Sequence, residues 1–151
     1  MNDAKTLLSK IKLCDTKINI KLDELKQLKE MTLKVTPTLE GEVVSGSHNQ
    51  DKLGDAVAKI VDLQKEIDDS IDTFVELKRY FMGIIDRMDD TNQATVLYKR
   101  YFQYKPFEQI ACEIGYGYRN VCYIHGRALQ AVEKLMMERG VPNVEGGKKP
   151  G

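Results

Sequence analysis

Arg119, Asn120 and Tyr123 carry the side-chain chemistry in this chain best suited to reading another molecule. Arg presents paired N–H donors and Asn a donor beside an acceptor, both matched to base edges in the DNA major groove, while Tyr contacts a thymine methyl or a phosphate. Their spacing sets them outward at the start of a helix whose other face is Val121, Ile124, Ala128, Leu129 and Val132. An arginine there opposes the helix dipole, so helix stability alone does not account for it. Lys99, Arg100 and Arg127 are candidate phosphate contacts, and His125 is a further donor. His125 stands without a second His at ligand spacing and reads as a helix-surface or interface residue and not as a metal ligand.

Two short helices must hold these residues. The first follows Pro106, whose missing N–H suits a first turn, and puts Phe107, Ile110, Ala111 and Ile114 on one face. Ala111 suits a close helix crossing, and Gly115 supplies the positive φ that reverses the chain before the second helix opens near Tyr118. Gly126 inside that helix points to a close contact, either with the helix from 107 to 114 or with the DNA backbone. A preceding segment, Thr91 to Phe102, turns Val96, Leu97, Tyr101 and Phe102 inward after an N-cap at Asp90 or Thr91. Two amphipathic helices about a glycine turn also occur in bundles that bind nothing. The outward chemistry is what favours DNA.

The order FEQIACEIGYGYRNVCYIHGRAL, with KRYF ahead of it at Lys99 to Phe102, resembles the fourth conserved region of bacterial sigma factors over Asp89 to Leu135. The RYF and IHGRAL segments, together with SGSHNQDKLGDAVAKIVDLQKEIDDSIDTFVELK, are similar to small phage and prophage regulators of Gram-positive bacteria across nearly the whole chain. The resemblance implies promoter-associated binding to double-stranded DNA and contact with RNA polymerase. It transfers base reading onto Tyr118, Arg119, Asn120 and Tyr123, and makes His125, Gly126 and Arg127 backbone-contact or packing residues. Sigma factors usually have Ser or Thr where this chain has Gly117, which removes a side chain that would cap the helix and hold a phosphate.

Upstream, Leu7, Ile11, Cys14, Ile18, Leu25 and Leu28 recur in a heptad seam over Asp3 to Val35, with Leu22 standing in for Lys21. A second row, Leu53, Val57, Ile60, Ile67, Phe74, Phe81 and Met88, runs through Asp51 to Met88 and is flanked by Leu63, Ile71, Leu77 and Ile85. Residues 1–35 hold eight Lys against five acids, and residues 51–90 hold six Lys or Arg against eleven acids, so the two helices attract. The expected fold is all-α: a long antiparallel helical hairpin, or coiled coil, over residues 1–90 with a mobile loop at about 36–50. A helix-turn-helix domain over 91–139 follows, then a disordered tail over 140–151. Exposed coiled-coil surface points to a homo-oligomer formed through the hairpin, and Gly83 suggests a hinge near the hairpin's end.

Several function classes lack support. No GxSxG, P-loop or HExxH motif is present, so neither an enzyme nor a cofactor is expected. The acidic run Glu66, Asp68, Asp69, Asp72 and Glu76 reads as a solvated helix face and not as a metal site. Cys14, Cys112 and Cys122 lack CxxC spacing and read as buried small hydrophobes. With neither a signal peptide's apolar core nor a membrane-length apolar run, the expected location is the cytoplasm of a bacterial host cell. The sequence therefore points to a phage-type transcription regulator. A small-terminase-like DNA-packaging subunit and a polymerase-binding module without autonomous DNA binding are the alternatives.

Overall fold

The computed structural model describes residues 3–41, 46–140 and 142, and side chains in 3–34, 51–140 and 142. Among the described residues the chain is helices joined by short turns, without a strand. The order is α1 (Ala4–Gly41), α2 (Gly46–Asp86), α3 (Thr91–Leu97), a single π-helical turn (Tyr98–Phe102), α4 (Phe107–Ile114) and α5 (Tyr118–Arg139). No described helix is long and apolar enough to cross a membrane.

α1 and α2 form the hairpin, and its seam keeps a 3.5-residue period on both helices. Helix α1 opens where the Asp3 carboxylate accepts a 2.7 Å hydrogen bond from the Thr6 N–H, and hydrogen bonds from the Thr6 side chain first and its N–H second draw the Asp3 pKa below its ordinary value. Inward positions of α1 are Ala4, Leu7, Ile11, Cys14, Ile18, Lys21, Leu25, Leu28 and Thr32. On α2 they are Leu53, Ala56, Ile60, Leu63, Ile67, Ser70, Phe74, Leu77, Phe81 and Ile84. The antiparallel sense follows from the core, where Ala4, Leu7 and Ile11 at the start of α1 share a cluster with Leu77, Phe81 and Ile84 near the end of α2.

Three expectations about the hairpin are corrected. Lys21 keeps its seam position and donates a 3.0 Å hydrogen bond to the Ser70 hydroxyl, while Leu22 stays exposed. Seam membership follows helical position, and the aliphatic stem of Lys supplies apolar surface while its head finds an acceptor. Likewise Ser70 lines the seam where Ile71 was expected, Val57 and Ile71 are exposed, and the fully buried Ile84 joins the expected Ile85, which packs partly buried against the core. The connector expected at 36–50 is helical as far as Gly41 and again from Gly46, with residues 42–45 outside the described residues. Extending an existing helix adds a backbone bond for each residue fixed, so α1 continues into the segment expected as a loop.

The compact units do not follow a division at residue 90. One unit comprises described residues up to Asp15 together with those from Thr73 onward, and Thr16–Asp72 make up the other. In the first unit, Ala128, Val132 and Met136 of α5 join Leu97, Tyr101 and the open end of the hairpin, where α1 starts and α2 finishes, in one core. A smaller core of Val96, Ile110, Ala111 and Val121 ties α3 and α4 to the start of α5. Gly83 does not break α2. A Cβ there would lie 2.1 Å from the Arg139 guanidinium, which also stands over the Tyr80 ring at 5.4 Å. The glycine makes room for the end of α5, where Gly140 carries a φ of 91° and its carbonyl accepts a hydrogen bond from the Tyr80 hydroxyl. The tail expected from 140 lies outside the described residues apart from Gly140 and Pro142.

Candidate nucleic-acid interface

The corner between α4 and α5 is set by local backbone chemistry. Pro106 is the N-cap of α4 with φ −70° and ψ 157°, and Gly115 ends it in the left-handed region at φ 75°. The Gly115 and Tyr116 N–H groups both donate to the Ala111 carbonyl, at 3.0 and 3.1 Å, which closes the helix end. Gly117 then caps α5 without a side-chain bond. Upstream, Asp90 caps α3 by accepting from the Asn92 and Gln93 N–H groups at 2.9 and 3.2 Å. Asn92 in turn donates to the Tyr116 hydroxyl at 3.2 Å, fastening the turn to the start of α3.

On this frame Tyr118, Arg119, Asn120 and Tyr123 are all exposed, and Val121 between them is fully buried. Half of Tyr118 and 63% of Tyr123 face solvent. A hydrogen bond with Cys122, one turn further on, raises the Tyr118 pKa above its ordinary value. Tyr118 also lines an open hollow of about 530 Å³ with Glu108, Ala111, Cys112, Gly115 and Tyr116. Cys112 is exposed, and Cys14 and Cys122 are half-buried, so the expectation of three buried cysteines is corrected.

The expected phosphate contacts are arranged quite differently from one another. His125 is buried, shares a 2.7 Å hydrogen bond with the Tyr101 hydroxyl, and stacks on that ring at 5.7 Å between centroids. The Phe107 ring stands edge-on to it at 4.8 Å. Burial, reinforced by the positive charges of Arg100 and Lys5, lowers its pKa to about 4, and burial raises the Tyr101 pKa to about 12. His125 is thus a neutral core residue at pH 7, and its assignment as a phosphate donor is corrected: desolvation disfavours the charged form a phosphate would need.

Arg100 stands over the Phe107 ring at 4.3 Å and donates to the Lys105 carbonyl at 3.2 Å, so its planar head is engaged in packing. Lys99 and Lys105 converge on one carboxylate, Glu113, at 3.3 and 2.6 Å. Their hydrogen bonds, led by Lys105, hold the Glu113 pKa below its ordinary value. Arg127 is exposed, its guanidinium 5.6 Å from the Tyr123 ring centre, and so shares a surface with the exposed row of Tyr118, Arg119, Asn120 and Tyr123. The close contact with α4 expected as one alternative at Gly126 is not made, since a Cβ there would meet nothing within 4 Å.

Sequence reasoning missed Lys105, Glu113 and Tyr116. The ion-pair trio joins residues on either side of Pro106, and helical periodicity carries no information across that break. Tyr116 had a signal: a large aromatic between two glycines in a turn has little room to be buried. No family model, curated protein or solved structure matches the chain.

Proposed function

We propose that the chain is a sequence-specific DNA-binding transcription regulator of phage or prophage type, with α4 and α5 acting as a sigma-region-four-like helix-turn-helix. The observation that carries this reading is the exposed row Tyr118, Arg119, Asn120 and Tyr123 at the start of a helix whose other face is buried. In the major groove, Arg119 and Asn120 pair with base edges, while Tyr118 and Tyr123 contact thymine methyls or the adjoining sugar-phosphate. Arg127 reaches a phosphate from the next turn. Lys99 and Lys105 add attraction moderated by Glu113. The helix fixes direction and depth, and the buried Val121 fixes its rotation.

The function is binding, not catalysis, and it belongs in the cytoplasm of a bacterial host. RNA polymerase contact and self-association through the hairpin are parts of the same proposal, because a modest basic face needs a larger assembly for useful occupancy. The test is selection of bound sequences from random duplex DNA at fixed salt, with wild type and Arg119→Ala. A recovered motif should relax at one position in the variant, with about 1–3 kcal/mol lost at the best site. No enrichment at low salt would remove autonomous DNA binding and redirect the search to polymerase or packaging partners.

A further inference from the structure

Along α2, Val57, Val61, Gln64, Asp68, Ile71 and Val75 follow at alternating steps of four and three and therefore share one face. That face lies about a quarter turn around the helix from the hairpin seam of Ile60, Leu63, Ile67 and Ser70. Its four aliphatic residues are exposed, Val57 by 48%, Val61 by 50%, Ile71 by 38% and Val75 by 42%. Gln64 and Asp68 are exposed as well. The helix thus carries a second heptad-like row that the hairpin does not cover.

The row is self-complementary when reversed. About a two-fold axis beside Glu66, Val57 meets Val75, Val61 meets Ile71, and Gln64 meets Asp68. Isologous interfaces require such matching, in which residue i meets j and j meets i. We infer that this face of α2 pairs antiparallel with the same face of a second copy of the chain, an inference that rests on the self-association proposed above and gives it a surface and a register. At the centre, the Gln64 amide donates to the second copy's Asp68 carboxylate, and Lys65 lies within reach of the same group. Both interactions occur twice. Polar partners within an apolar row fix register, because a slip would set Asp68 against an aliphatic side chain.

Charge elsewhere on the helix works against the pair. Residues 51–72 hold seven acids against three Lys, so two copies of α2 repel outside the row. Added salt should therefore tighten the dimer while weakening contacts to DNA.

Sedimentation equilibrium on the full chain, with wild type and Ile71→Lys, combined with cross-linking, tests this pairing. Wild type should sediment at twice the chain mass, and Ile71→Lys should dissociate at least tenfold more readily with unchanged helicity. An oxidised equimolar mixture of Val61→Cys and Ile71→Cys chains should give mainly 61-to-71 links on peptide mapping. Links of 61 to 61 and 71 to 71, or a dimer indifferent to Ile71→Lys, would overturn this face and leave self-association standing. A monomeric wild type would overturn both, without touching the DNA selection experiment.

Discussion

Burial decides what His125 does. Its folded-state pKa of about 4 lies below the ordinary 6.5, so the unfolded chain binds the extra proton first as the solution is acidified. The stability that goes with the neutral ring is complete above about pH 6.5, declines as pH falls, and is gone below about 4. Allowing for partial solvent access, the loss is on the order of 2 kcal/mol. Denaturant unfolding at pH 7 and pH 4.5 should show this decline in wild type, with a smaller one in His125→Gln, which has no group titrating in that window. The same substitution should leave the salt dependence of DNA binding unchanged. A flatter salt slope in His125→Gln would restore His125 as a phosphate contact. At this scale the sequence was legible for the outward residues, since Tyr118, Arg119, Asn120 and Tyr123 are exposed as their phase requires. It was not legible for His125, because its facing partners Tyr101 and Phe107 lie outside its own helix.

Glycine separates the elements into places where conformation matters and a place where it does not. Gly115 holds a φ of 75°, so Gly115→Ala should destabilise by about 1–2 kcal/mol through strain at the corner. Gly126 sits inside α5 with open space where a side chain would project. Gly126→Ala should therefore stabilise by about 1 kcal/mol, raising the thermal midpoint by roughly 2–4 °C. Calorimetry checks both, and DNA affinity decides what remains: a stabilised Gly126→Ala chain that no longer binds would mean that the DNA backbone approaches this turn. The two rows of the hairpin were legible because the heptad repeat is local and persistent. Their flanks were less so, since apolarity ranks Leu22 above Lys21 and Ile71 above Ser70, whereas helical phase ranks them the other way. Replacing Lys21 and Ser70 together by Leu should raise the thermal midpoint. It should also weaken register, because the hydrogen bond between them is a polar feature that distinguishes one alignment of the seam from the next.

For the molecule as a whole, charge decides how binding would behave. The chain has 23 basic and 23 acidic residues, so it has no net field to draw DNA from a distance. Residues 91–140 reverse that locally, with seven Lys or Arg against four Glu. Part of this local excess is held back, since Glu113 occupies both Lys99 and Lys105. Specific recognition is favoured by such restraint, because phosphate attraction strengthens every DNA sequence alike and widens no difference between sites. Glu113→Gln should release both lysines, strengthen binding to random-sequence duplex at low salt about three- to tenfold, and steepen the logarithmic salt dependence by between about one and two. Affinity for the selected site should rise by no more than that for random DNA, so the ratio between them should stay level or fall. Titrations of both duplexes across a salt series measure each quantity. An unchanged salt slope would place Lys99 and Lys105 away from the phosphates and leave Arg127 as the principal electrostatic contact beside the reading row.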